Sequence, residues 1–311
     1  MRPFFWIVFI ESCCLLPCNG SAAEFSVERT DQGVTITCDG KPFTEYLIKS
    51  GAKPVLWPII GPTGKRMTRS YPLEKAEQEQ EDHIHQRSLW MTYGKVNNID
   101  FWSESPNHGN ILHREFVEVS GGPTAKIVTR NDWVDANDHK ICEDERTITC
   151  RADDDVRTID FDVKIKAGDE PVVFGETKEG AFGMRLAESL RTDGKWGSPG
   201  TIVNSNGETN DAAWGKKANW VDYHGLVGGE HVGAAILNHP GSFRHPTRWH
   251  VRNYGLFAAN PFGNRSFDPA AEDGTYTLPA GESLTLRYRV VLHRGDEKLG
   301  QIAEQYENYI K

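Results

Sequence analysis

Eleven histidines and nine tryptophans fall in this 311-residue chain, and many gather in four short polar–aromatic segments. The first runs Asp82-His83-Ile84-His85-Gln86-Arg87-Ser88-Leu89-Trp90. In an extended chain successive side chains point to opposite faces, so His83, His85 and Arg87 would share one face. Two imidazoles and a guanidinium together suit a metal ion or an oxygen-rich ligand. A His-x-His pair alone holds no metal, because a third ligand must come from elsewhere. The second segment, Glu176-Thr177-Lys178-Glu179-Gly180, aligns Glu176 with Lys178, and a neighbouring ammonium shifts a carboxylate's proton affinity for acid–base work. An ordinary surface ion pair would use the same residues.

The third segment, Asn219-Trp220-Val221-Asp222-Tyr223-His224-Gly225, puts Trp220, Asp222 and His224 on one face if extended. An aromatic plate beside a carboxylate suits a sugar ring, whose C–H face stacks while its hydroxyls hydrogen-bond. Core packing of Trp220 is the competing reading. The fourth holds Asn238-His239-Pro240, Arg244-His245-Pro246-Thr247-Arg248-Trp249-His250, then Tyr254 and Asn260. Prolines so close together fit a loop better than a core strand, and loops at strand ends usually display binding groups.

These residues need a scaffold, and period-two alternation supplies it. The pattern predicts strands over 34–38, 111–120, 124–134, 139–151, 156–166, 171–176, 182–188, 232–238 and 283–293. Only the end has helical spacing, with Leu299, Ile302, Ala303, Tyr306 and Ile310 on one face. The expected architecture is all-β: one domain over residues 24–311, a large antiparallel two-sheet sandwich closed by a C-terminal helix. Residues 1–23 read as a signal peptide, with Arg2, an apolar run and a small-residue end at Ser21-Ala22-Ala23. Export to the periplasm or beyond is expected, without a membrane span, since the apolar run is short and broken by Glu11.

Cys38, Cys142 and Cys150 remain after the leader. An odd count argues against a disulfide framework, and Cys142 and Cys150 would lie too far apart on one strand to bridge. A formal charge of −9 disfavours a nucleic-acid partner. No nucleophile elbow, phosphate-cradling loop, Cys-x-x-Cys pair or His-Glu-x-x-His helix occurs in the sequence.

The first segment, with Asp100-Phe101-Trp102 soon after it, resembles secreted bacterial proteins that carry the name methane oxygenase PmoA. Matches at Glu176 to Gly180, Trp220 to Tyr223, His245 to His250 and Tyr254 to Phe262 extend the likeness over nearly all of the chain past the leader. The resemblance implies a galactose mutarotase-like supersandwich, a fold that also serves polysaccharide lyases and sugar-binding enzymes. The methane monooxygenase subunit of the same name is an integral membrane protein, whereas no span follows this leader.

The combined expectation is an exported carbohydrate-active enzyme of epimerase, lyase or hydrolase type, binding a sugar or modified sugar. His85 and His239 would be the acid–base groups, since imidazole titrates near neutral pH, and Glu176 the carboxylate base. His83, Arg87, Lys178 and Asp222 would hold polar groups, joined by Trp90, His245, His250 and Asn260. Trp220, Trp249 and Tyr254 would stack on the ring. All the named histidines, with Arg87 and Glu176, would then line one concave surface. No cofactor is expected on this reading. One alternative is a metal-dependent enzyme, an oxygenase included, with His83, His85 and one of His239, His245 or His250 around a divalent ion. The other is a non-catalytic carbohydrate-binding module.

Overall fold

The computed structural model describes residues 23–311, so the expected signal peptide lies outside the described residues but for Ala23. The chain begins with β1 (Phe25–Thr30), β2 (Gly33–Cys38), β3 (Lys41–Ser50), β4 (Lys53–Leu56) and β5 (Leu89–Tyr93). Two long hairpins follow, β6 (Asn110–Ser120) with β7 (Ala125–Val134), and β8 (Lys140–Ala152) with β9 (Val156–Ala167). Next come β10 (Val172–Phe174), β11 (Gly180–Arg185), β12 (Thr201–Asn204), β13 (Trp220–Val227) and β14 (Glu230–Asn238). Finally β15 (Arg248–Val251), β16 (Leu256–Asn260), β17 (Tyr276–Leu278) and β18 (Ser283–Arg294) lead to α1 (Ile302–Tyr309).

These strands make two antiparallel eight-stranded sheets. The first is ordered β1-β2-β3-β4-β5-β11-β16-β15 and the second β12-β13-β14-β18-β9-β8-β7-β6, while β10 and β17 pair separately. The alternation of β9 shows why the sheets stack. Ile159, Phe161, Val163 and Ile165 all face inward and are buried, each contributing roughly 1.5–3 kcal/mol of burial. Across the interface Phe182 of β11 stacks on Tyr288 of β18, ring centroids 4.8 Å apart. The helix α1 covers the outward face of the second sheet, laying Ile302 and Tyr306 on Trp220, Ala235, Leu237 and Val291. No helix among the described residues is long and apolar enough to cross a membrane.

The nearly all-β, two-sheet architecture with one terminal helix is the expected one. Several elements differ in extent. The predicted strand 171–176 shrinks to β10, and 182–188 becomes the earlier β11. Leu299 is outside the helix and 70% exposed, because Asp296 accepts the Lys298 and Leu299 amides and holds a turn there. Segment 82–90 is a strand only at Leu89 and Trp90, since His83 and Ser88 both take positive φ. The fourth segment was expected to be loop, yet β15 runs through it with Trp249 and His250 buried.

Candidate functional site

The outward face of the first sheet is not left to solvent. Its register sets Val55, Trp90, Gly183, Ala258 and His250 in one row across β4, β5, β11, β16 and β15. Small residues in the middle make a floor for rings from the side. Trp90 lies over Gly183, where an added Cβ would meet the Trp90 ring at 2.6 Å, and Trp102 packs beside it at 5.3 Å. Connection 57–88 and residues 94–109 bring Trp57 and Trp102 to this apolar cluster, which Tyr254 joins from 252–255.

His85 stands at this cluster's edge. Its ring lies 6.3 Å from Trp102 and 5.8 Å from His83, which stacks on Tyr254 at 5.2 Å. The turn at His83, rather than a strand, therefore brings the two imidazoles together. Burial, aided by the charges of Lys53 and His83, pushes the His85 pKa down to about 4. The ring is thus neutral near pH 7. Neither of its nitrogens has a protein hydrogen-bond partner among the described residues.

Beneath the histidines two buried guanidiniums share the acids. Arg69 donates to Asp82 and to the carbonyls of Gln80 and His83, while Arg185 donates to Asp82 and Gln86. Burial works against ionisation of Asp82, but Arg185 and Arg69 outweigh it and hold its carboxyl below the usual range. Asp82 in turn lies 2.9 Å from Nδ1 of His83 and fixes that ring. The Arg185 guanidinium also sits 4.8 Å from the centre of the Tyr254 ring.

On the other flank, Glu104 accepts from Lys53 at 2.9 Å and takes both Nε and Nη2 of Arg87, at 3.2 and 3.0 Å. Burial lowers the fully buried Lys53 to about 8 despite that carboxylate. Burial also opposes ionisation of Glu104, yet the two cations bring it down to about 2. Arg87 was expected to hold ligand; its fork is committed to Glu104 instead.

Several buried donors around this cluster lack partners. The indole N–H groups of Trp57, Trp90 and Trp102 and the Nε–H groups of Arg69 and Arg185 are buried without an acceptor. Buried polar groups are nearly always paired, so five orphaned donors in one neighbourhood need an explanation.

The remaining expected residues do not converge here. Glu176 accepts backbone N–H bonds from Asn264, Arg265, Ser266 and Gly274, and these amides overcome burial to hold its carboxyl below the usual range. It fixes loop 261–275 rather than facing open space. Lys178 pairs with its neighbour Glu179. Asn260 binds the Thr177 carbonyl and the amides of Phe262 and Gly263. His250 is buried, bonds the Lys178 carbonyl at 3.0 Å, and is pushed to about 3 chiefly by burial. Trp249 is core, its indole donating to the Ala218 carbonyl.

His239 lies against Tyr309 and Arg287 on the outward side of the second sheet, and His245 bonds the Tyr306 hydroxyl. His85 and His239 thus serve opposite faces of the sandwich and cannot share one substrate. Nor do His239, His245 or His250 give the His83–His85 pair a third imidazole. Trp220 and Asp222 do share a face, as expected, but it is the second sheet's outward face, and Trp220 is packed under α1. The single concave surface is therefore corrected to separate groups.

The profile of a family of unknown function, DUF6807, matches residues 33–307. The chain belongs to this family. No curated protein matches this DUF6807 chain by sequence. Among solved structures it is similar to the alpha-galactosidase from Lactobacillus brevis, with TM-score 0.45, 8% identity and 88% of this chain covered. The chain spans 40% of that protein's length. It is also similar to a galactose mutarotase-like protein from Lactobacillus casei, with TM-score 0.42 and 10% identity over 86% of this chain and 100% of the other. The Slr1438 protein from Synechocystis gives TM-score 0.38 and 12% identity, over 94% of this chain and 100% of its own. Neither the family nor these three structures carries the methane-oxygenase name.

Sequence reasoning missed several of this DUF6807 chain's best-placed groups. Lys53, Glu104, Arg69 and Arg185 sit in unremarkable sequence, and only the fold brings them under His85. Trp102 was visible in Asp100-Phe101-Trp102 but was not counted among the binding residues.

Proposed function

We propose that the outward face of the first sheet binds a sugar or modified sugar, and that His85 is the acid–base group acting on it. The supporting observation is the set of five buried N–H donors without acceptors beside a neutral, unpartnered imidazole. A ligand that reaches those donors must be rich in acceptor oxygens. Trp57 and Tyr254, both half-buried over the buried Trp90 and Trp102, offer flat apolar surface, so a molecule with a C–H face and ring oxygens or hydroxyls suits both features. A neutral imidazole can take a proton from a hydroxyl or an activated C–H and return it, which covers epimerase-, lyase- and hydrolase-type chemistry. His83 and Tyr254 would border the ligand, while Asp82, Arg69 and Arg185 would hold that border in place.

The test is a panel of neutral sugars, uronates and oligosaccharides, screened for binding and turnover with the full chain. His85→Ala should lower turnover by roughly 10²–10⁴ with little change in binding, the span of a lost general acid or base. Trp102→Phe keeps a six-membered aromatic ring but removes the pyrrole ring with its N–H, and should weaken binding by about 0.5–1.5 kcal/mol. Binding without turnover would replace this reading with a binding module. Binding that ignores both substitutions would move the site elsewhere.

A further inference from the structure

We propose that Asp222, His224 and Glu297 form a binding site for a divalent transition-metal ion, on the opposite outward face from the sugar site and independent of it. One donor atom from each of the three lies within 4.8 Å of the others. Donors around a tetrahedral ion with ~2.0–2.2 Å bonds stand about 3.4 Å apart. The His224 Nδ1 is 2.9 Å from Asp222 Oδ2 and 3.6 Å from Glu297 Oε2. That nitrogen carries at most one proton, so it can satisfy only one of the two carboxylates it faces. Glu297, though mostly buried, has no other side-chain partner among the described residues. A dication at the shared point would engage all three groups and balance both carboxylates.

The surroundings are arranged as supports of a metal ligand usually are. Nε2 of His293 lies 2.8 Å from the other oxygen of Asp222, while Nδ1 of His293 lies 3.1 Å from the Arg294 carbonyl. Both His293 nitrogens are thus used, and the Asp222 carboxylate is oriented from behind. Two glycines make room for that ring: a Cβ at Gly233 or Gly300 would fall 2.3 Å from it. Asp296 caps the turn that carries Glu297. His231 on β14, its ring centroid 5.6 Å from that of His224, is the next imidazole on the solvent side. One imidazole with two carboxylates and no thiolate suits zinc, manganese or ferrous iron, with water completing the shell.

The experiment uses the full chain, purified without a polyhistidine tag, stripped with chelator and titrated calorimetrically with Zn²⁺ and with Mn²⁺. One equivalent of at least one ion should bind, and that ion should raise the melting temperature, since binding to the folded state alone stabilises it. Glu297→Gln and His224→Gln should abolish binding, and both sit near the surface, where circular dichroism checks that the fold is retained. His293→Gln should weaken it about 10–100-fold, the usual effect of losing a supporting partner. His85→Ala should bind the ion as wild type does, which separates this site from the sugar reading. Failure of wild type to bind either ion, or unaltered binding by Glu297→Gln, would overturn the proposal.

Discussion

Lys53, Glu104 and Arg87 show how one carboxylate can hold two cations under a site. Removing that carboxylate should hurt more than removing one cation. Glu104→Gln leaves a fully buried ammonium beside a guanidinium and should cost about 3–5 kcal/mol, the range for breaking a buried pair. Lys53→Met leaves the forked Arg87–Glu104 pair intact and should cost clearly less, as urea denaturation would read. A larger loss for Lys53→Met would contradict this order. The pH dependence has two windows. Glu104 ionises near 2 in the fold against a usual 4.5, so its stabilisation is complete above pH 4.5 and fades as pH falls toward 2. Lys53 runs the other way: its folded value of about 8 lies below the usual 10.5, so stability recovers as pH rises from 8 to 10.5. At this scale the sequence revealed the histidines but not their setting. His83 and His85 do come together, through a left-handed turn that no alternation pattern announces. Arg87 looked like a ligand group because its partner arrives from a loop 17 residues later.

Among elements, most strands of the second sheet were legible, β12 excepted, while under the site only β11 was foreseen, and with shifted bounds. β8 shows inward residues buried and outward ones exposed or half-buried, so its period is plain. β5, β11 and β16 are buried throughout, because connection 57–88, residues 94–109 and loop 261–275 cover the face that would otherwise be polar. A strand buried on both faces loses its alternation, and short apolar runs of that kind do not declare their structure. Loop 261–275 depends on Glu176 for its shape, which gives a test of that residue's part. Glu176→Ala orphans four backbone amides, each worth about 1–3 kcal/mol if left buried and unpaired. The expected result is early proteolytic cleavage within 261–275 and lower stability, with turnover per folded molecule little changed. A large fall in turnover without loosening of the loop would return Glu176 to the chemistry.

The whole molecule is a sandwich whose interior is sealed on both sides, and its cysteines report on that seal. Cys38, Cys142 and Cys150 are free and buried, on β2 and β8 of the two different sheets. The sequence already excluded a bridge between the last two, and here both point into the space between the sheets, eight residues apart along one strand. Burial pushes all three thiols up, so little reactive thiolate exists in the folded protein near neutral pH. Because they lie in one continuous core, no single loop opening should expose them together. A chain starting at residue 24 should therefore react negligibly with a thiol reagent when native and at three thiols in denaturant. At intermediate denaturant the rate should follow global unfolding measured by tryptophan fluorescence, since separating the sheets exposes all three at once. Fast labelling of Cys142 or Cys150 under native conditions would mean that the second sheet opens by itself. The two outward faces would then be carried by separately stable halves rather than by one cooperative core.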